Sequence, residues 1–156
     1  MKVSIALATY NGAKYLKQQL DSFQAQTCLP DELVVCDDCS KDNTVEILEE
    51  FKETASFIVI IIQNESNLGY TGNFEKAISL CSGNLIFISD QDDVWFNNKI
   101  EPMTAYMKAH HEVFIAINDA EIVGKHLYPT GITKKQQIKN LYGSSDKFIP
   151  GCCSVF

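Results

Sequence analysis

A chain of 156 residues, 46% of them hydrophobic, can bury a core of its own, and one domain is the expected count. Its formal net charge of −7 argues against a nucleic-acid partner, because backbone phosphates call for a basic surface. No apolar run approaches the ~20 residues that cross a bilayer, so no membrane span is expected within the chain.

Residues 3–9 are apolar and short, hence a strand. The start lacks the charged region, long apolar region and cleavage site of a signal peptide, so it reads as the first strand of a cytoplasmic protein. Tyr10-Asn11-Gly12 breaks the strand, and Leu16, Leu20 and Phe23 then recur at helical spacing. Pro30 precedes a second strand over 32–36, followed by a polar loop over 37–44. Val45, Ile47, Leu48 and Phe51 mark a second helix, with Ser40 or Asp42 as its cap. A third strand covers 57–62 and a loop 64–71, and Phe74, Ala77, Ile78 and Cys81 mark a third helix. Ser82-Gly83-Asn84 turns into a fourth strand over 85–88. Beyond Trp95 the pattern weakens. Ile100, Met103 and Met107 predict a helix, 113–117 a strand ending in Asn118-Asp119, Ile122-Val123 a pairing segment and 134–142 a short helix. The apolar run 148–156 reaches the last residue, which predicts a chain cut within an element. An incomplete sheet would expose apolar surface and favour a homo-oligomer.

Strands alternating with helices predict a mostly parallel α/β sheet with helices on both faces. Ligands of such sheets bind outside the carboxyl ends of the strands. Thr9-Tyr10-Asn11, Asp37-Asp38 and Asp90-Gln91-Asp92-Asp93 all fall at such ends, so three separated stretches are expected to converge on one cleft.

The acidic stretch is the most telling of the three. At ~4 Å and an effective dielectric near 20, two ionised carboxylates repel by roughly 4 kcal/mol. A hard divalent cation with oxygen ligands offsets that repulsion and can hold a phosphate-bearing substrate. The glycine-rich phosphate loops of dinucleotide and P-loop enzymes are missing from the sequence. Phosphates would therefore need a metal at Asp90 and Asp92. Asp38 can accept hydrogen bonds from a base N–H or from ribose hydroxyls, and Tyr10 offers a ring face for a nucleobase. A helix cap for the aspartates and core packing for Tyr10 stand as the plainer readings.

Cys36 and Cys39 form a Cys-x-x-Cys, but the acids between them raise a neighbouring thiol pKa, and no second zinc pair follows. Structural thiols in a reducing cytosol are expected. His110, His111 and His126 lack ligand spacing.

Ala8-Thr9-Tyr10-Asn11, the run from Val34 to Thr44, Asn67-Leu68-Gly69 and Asp90-Gln91-Asp92-Asp93, in this order, closely resemble family 2 glycosyltransferases of the GT-A fold. The wording is most similar to the rhamnosyltransferase-type branch that builds bacterial surface polysaccharide. The resemblance implies inverting transfer of a sugar from a UDP- or dTDP-linked donor to a polysaccharide or lipid-linked acceptor, in the cytoplasm or at the inner face of the membrane. It implies that Thr9, Tyr10 and Asp38 contact the base, supported by Asp37 or Ser40, with Asn11 beside them. Asp90 and Asp92 would be the D-x-D pair on ribose and on Mg²⁺ or Mn²⁺, with Asp93 sharing the ion. Asn67, Gly69 and Asn73 would line the loop closing one side of the donor.

Two departures stand out. Gly72 occupies the place where many members carry a basic residue near the diphosphate, with Lys76 one turn on as a substitute. The family's catalytic base lies downstream of a Gly-Cys segment resembling Gly151-Cys152, so the base is expected beyond Phe156; Asp119 and Asp146 lack its context. Residues 1–95 would then form the nucleotide-sugar half and 96–156 an incomplete start of the acceptor half. The alternatives are a non-catalytic nucleotide-sugar-binding fragment, a sugar nucleotidyltransferase, or a calcium module with Asp38, Ser40, Asp42, Thr44, Glu46 and Glu49 at EF-hand positions.

Overall fold

The computed structural model describes residues 1–142 and 154–156. The strands are β1 (Val3–Thr9), β2 (Glu32–Asp37), β3 (Ile58–Gln63), β4 (Leu85–Ser89), β5 (Ala116–Ile117), β6 (Glu121–Val123), β7 (Pro129–Thr133) and β8 (Ser154–Val155). The helices are α1 (Ala13–Gln24), α2 (Thr44–Thr54), α3 (Gly69–Leu80), α4 (Ile100–Ala109) and α5 (Lys134–Tyr142). The main sheet runs β3-β2-β1-β4-β8-β5, and β6 pairs separately with β7. The first four strands are parallel, with Ala6 beside Val34 and Ile5 beside Phe87, while β8 lies antiparallel between β4 and β5.

Alternation along β1 explains the layering. Ile5 and Leu7 join Leu33, Val35 and Phe87 on one face, where α1, α2 and α4 contribute Leu16, Leu20, Phe23, Leu48, Ile100 and Met103. Each large apolar side chain removed from water there contributes about 1.5–3 kcal/mol. On the opposite face the small residues Ala6 and Cys36 meet Ala77 of α3. The chain adds β2 and β3 to one side of β1 and then crosses to add β4 on the other. That reversal opens a crevice between the carboxyl ends of β1 and β4, where open α/β sheets take their ligands.

At the opposite end of the sheet a polar knot ties the strand starts. The buried Glu32 carboxylate accepts from Lys2 Nζ at 2.8 Å, Ser4 Oγ at 2.6 Å, Ser82 N at 2.6 Å and Ser82 Oγ at 2.7 Å.

Some boundaries differ from the sequence expectation. The third strand is shifted one residue on, and only Ala116–Ile117 of the expected 113–117 pairs, with Phe114 and Ile115 turned to solvent. The third helix begins at Gly69, inside the expected loop. Its start is held by a side chain from β2's exit, which no local capping signal reveals. Ile122-Val123 finds its partner in β7. Asp146, Gly151-Cys152 and the 148–153 part of the last apolar run lie outside the described residues. Among the described residues no helix is long and apolar enough to cross a membrane.

Candidate functional site

The crevice holds a cleft of about 520 Å³ lined from three strand exits and the start of α3. From β1 come Thr9 and Tyr10; from β2's exit, Asp38; from α3 and the turn before it, Asn67, Gly69, Tyr70 and Asn73; from β4's exit, Asp90, Gln91 and Asp92. The three stretches expected to converge therefore share one cavity.

Asp38 is the hub. Its buried carboxylate accepts from Leu68 N at 2.7 Å and Asn64 Nδ2 at 2.9 Å on one oxygen, and from Gly69 N at 2.9 Å on the other. Two of these donors are backbone N–H groups at the start of α3, where the helix's own carbonyls offer them no acceptor. Burial pushes the Asp38 carboxyl up, but the bonds from Leu68, Asn64 and Gly69 outweigh it and hold the group below its ordinary value. Gly69 sits at φ +73°, a left-handed conformation that suits glycine. Asn67 braces the same turn: Nδ2 donates to the Asp38 carbonyl at 3.2 Å and Oδ1 accepts from Gly69 N at 3.1 Å.

Beneath this turn Asn73 is buried and acts as a strut. Its Nδ2 donates to the Cys36 carbonyl at 2.9 Å and to the Thr9 carbonyl at 3.3 Å, and its Oδ1 accepts from Asn64 at 2.9 Å. Lys76, expected as a substitute for the basic residue near the diphosphate, donates to Asn64 Oδ1 at 2.9 Å. It is not among the residues that line the cleft.

Asn11, Asp37 and Ser40 do not line the cleft. Asp37, 1% exposed, accepts from Thr9 Oγ1 at 2.9 Å, Ser40 N at 2.9 Å and the Ser40 hydroxyl. Asn11 donates its N–H to Ser40 Oγ at 2.8 Å and accepts from Lys41 N at 2.7 Å. These residues lock the β1 and β2 exits together behind Tyr10, whose ring stays half exposed. Asp42, weighed as helix cap, accepts from Thr44 N at 3.1 Å and Ala13 N at 3.1 Å. The EF-hand spacing is thus carried by a strand-to-helix turn.

Asp90 and Asp92 face the cleft, whereas Asp93 lines a neighbouring cavity. The expected three-carboxylate cluster opens as a pair, and among the described residues no three metal-ligating side chains form a ready cage. Burial, followed by the Asp93 and Asp92 charges, pushes the Asp90 carboxyl up to about 6 against a lowering hydrogen bond from Tyr70. Two carboxylates in mutual repulsion, open to a cleft, fit an octahedral dication that keeps its remaining positions for water and phosphate oxygens.

Tyr70 and Gln91 were not foreseen. Gln91 is the middle residue of Asp-x-Asp; its Oε1 accepts from Tyr10 N at 2.9 Å and its Nε2 donates to the Tyr10 carbonyl at 3.1 Å. Nothing in the sequence marks Tyr70, which directly follows Asn67-Leu68-Gly69, and Gln91 lay inside the acidic motif with no role of its own. Cys28, Cys36, Cys39 and Cys81 are free thiols, and burial pushes Cys36 up, away from the thiolate.

Residues 4–156 match the family described as Glycosyl transferase family 2. The chain belongs to family 2 of the glycosyltransferases. It is 34% identical over 143 residues to the Escherichia coli UDP-Glc:alpha-D-GlcNAc-diphosphoundecaprenol beta-1,3-glucosyltransferase WfgD, covering 88% of this chain and 55% of that protein. It is 36% identical over 99 residues to the Shigella flexneri dTDP-rhamnosyl transferase RfbG, covering 61% of this chain and 34% of that protein. The S. aureus TarS 1-349 structure in complex with UDP superposes with a TM-score of 0.65 at 29% identity, over 80% of this chain and 36% of that one. The mannosyltransferase PcManGT from Pyrobaculum calidifontis, in complex with GDP-Man and Mn²⁺, shares the fold with a TM-score of 0.72 at 17% identity, over 99% of this chain and 44% of that one. The family 2 chain thus spans about half the length, or less, of these relatives, and its fold is that of the GT-A glycosyltransferases. This membership displaces the nucleotidyltransferase and calcium-module readings.

Proposed function

We propose that the chain is the nucleotide-sugar-binding part of an inverting glycosyltransferase, moving a hexosyl group from a UDP- or dTDP-linked donor to a polysaccharide or lipid-linked acceptor at the cytoplasmic side of a membrane. The observation that carries this reading is the shared cleft: Tyr10, the Asp38-held turn, Asp90 and Asp92 line one cavity at the sheet's switch point. In the proposed division, residues 1–95 build the donor site and 96–156 begin the acceptor side.

The base stacks on the exposed Tyr10 ring and is edged by Asp38, whose carboxylate is ionised and anchored. Asn67 and Gly69 shape the turn that covers one side, Thr9 and Asn73 line the wall beside it, and Asn11, Asp37 and Ser40 fix that wall from behind. Asp90 and Asp92 hold Mg²⁺ or Mn²⁺ with the diphosphate, and Asp93 adds charge from the adjoining cavity. A bound dication supplies neutralisation of the leaving diphosphate. In the transfer, an acceptor hydroxyl oxygen bonds to the anomeric carbon and the bond to the diphosphate oxygen breaks. Its electron pair leaves on that oxygen, and the hydroxyl proton passes to a base. Asp119 is not assigned that role: its Oδ1 accepts from Ala120 N at 2.9 Å and Lys135 N at 3.0 Å.

The reading is tested by calorimetry with UDP, dTDP and Mn²⁺, singly and together. Nucleotide binding strengthened at least about tenfold, or ~1.4 kcal/mol, by Mn²⁺ is expected. No nucleotide binding with or without metal would overturn it.

A further inference from the structure

β3 closes one end of the main sheet, and among the described residues no strand lies beyond it. Its pairing with β2 runs without a shift from Ile58 to Gln63. At the two ends Ile58 N donates to the Asp31 carbonyl at 3.3 Å and Asn64 N to the Asp37 carbonyl at 2.9 Å. In a parallel ladder alternate residues turn their backbone groups to the same neighbour, so Ile58, Ile60 and Ile62 serve β2. Val59, Ile61 and Gln63 therefore aim their N–H and C=O groups outward, past the edge of the sheet.

Natural edge strands are commonly blunted by lysine, proline, a bulge or an inward charge. β3 has none of these. Its sequence Ile-Val-Ile-Ile-Ile-Gln is uncharged in a chain of net charge −7. Ile58 is 58% exposed, and Ile60, Ile61 and Ile62 are half-buried. Val59 and Ile61 lean on the main core, while Ile62 packs on the opposite face with Ala6, Cys36 and Ala77. By alternation Ile58 and Ile60 share the face of Ile62.

The outward row of donors and acceptors selects an extended strand as its occupant. A second β3, running antiparallel about a twofold axis at Ile61, is self-complementary. It sets Ile61 against Ile61 and Val59 against Gln63, and each such pair exchanges two N–H···O bonds. No other register matches all three outward residues with one another. The same alignment sets Ile60 against Ile62 of the copy in the closer type of cross-strand pair, which gathers the isoleucines on the α3 side. Glu65, the first charged residue after the strand, falls opposite Phe57, so no like charges are opposed. We propose that β3 is a homodimer surface, on which a second copy of this chain adds its own β3 antiparallel, centred on Ile61, to make one continuous sheet. The surface stands independently of the glycosyl-transfer reading.

The test follows the mass of the full chain, in reducing buffer, by sedimentation velocity and light scattering over a dilution series. The wild type should be a dimer that dissociates on dilution. Gln63→Pro removes an outward donor but spares the β2 ladder, because the Gln63 N–H faces away from β2 and proline is tolerated at such edges. Ile60→Lys sets a charge among the paired isoleucines. Each should raise the dimer dissociation constant at least about tenfold. Circular dichroism and thermal melts serve as folding controls, and where one variant loses its fold the other decides. The register is read by joining Ile60→Cys to Ile62→Cys in a Cys28→Ser background. Closely paired residues lie ~4.5 Å apart, within disulfide reach. Mild oxidation should link the double variant into a covalent dimer and leave either single variant unlinked. The inference is overturned if the wild type is a single chain at every concentration up to about 1 mM. It is equally overturned by a dimer that neither Gln63→Pro nor Ile60→Lys weakens, or by a double cysteine variant that links no better than the single ones.

Discussion

Gln91 grips the Tyr10 backbone with both ends of its carboxamide, accepting the N–H at 2.9 Å and donating to the carbonyl at 3.1 Å. The residue between the two cleft aspartates thereby fixes the loop that presents the aromatic ring. Gly12 leaves room for this grip: a Cβ there would lie 2.2 Å from Gln91 Oε1 and 2.7 Å from its Cδ. Gly12→Ala should push the carboxamide out and break the same two bonds that Gln91→Ala removes. Each substitution is expected to cost about 1–2 kcal/mol in urea unfolding. The double variant should cost little more than either single one, since they delete one interaction. Fully additive losses would show that the two residues act independently.

Asp90→Asn and Asp92→Asn should remove most of the Mn²⁺-dependent gain in UDP affinity, whereas Asp93→Asn should retain it. Asp90 and Asp92 open to the nucleotide cleft and Asp93 to the adjoining cavity, which sets the order of effects. Calorimetric titration of UDP with and without Mn²⁺ measures the gain in each variant. A loss with Asp93→Asn as deep as the other two would mean that all three acids hold one ion.

The layered α/β core was legible because apolar runs of strand length alternate with helical periodicity, and β1 to β4 appear within a residue or so of where those runs predict them. The convergence of Tyr10, Asp38 and Asp90 followed from chain direction alone, since parallel strands place their carboxyl ends on one edge. Two features resisted. The start of α3 is capped by a carboxylate 30 residues earlier in the chain, so no local pattern records it. Adjacent acids also need not share a cavity: Asp93 follows Asp92 directly yet lines different space from Asp90.

Asp38→Asn should loosen the turn at 67–69 without unfolding the sheet. The carboxylate receives three N–H donors, and an amide placed there sets its own NH₂ group against one of them. A loss of about 2–3 kcal/mol is expected in denaturant unfolding, with faster hydrogen exchange at the Leu68 and Gly69 amides. The wild type should show the same loosening in acid. The folded carboxyl sits below its ordinary value of 3.8, so its contribution is present above that value and is lost as the pH falls beneath it. Unchanged protection of both amides in Asp38→Asn would remove the carboxylate from the role of cap.

Glu32 provides a stability signal far from the cleft. Burial pushes its carboxyl up, but the hydrogen bonds from Lys2, Ser4 and Ser82 prevail and hold it at about 2, against an ordinary value of 4.5. A depressed carboxyl stabilises fully above its unfolded value, and that contribution is lost as the pH falls from about 4.5 towards 2. The shift corresponds to about 3 kcal/mol. Glu32→Gln should therefore be less stable than the wild type by about that amount near neutrality, with the gap closing as the solution is acidified. Urea unfolding over a pH series reads the gap directly. A difference that stays constant into strong acid would mean that the cost of the substitution comes from packing, and that the charge of Glu32 contributes nothing to the knot at the strand starts.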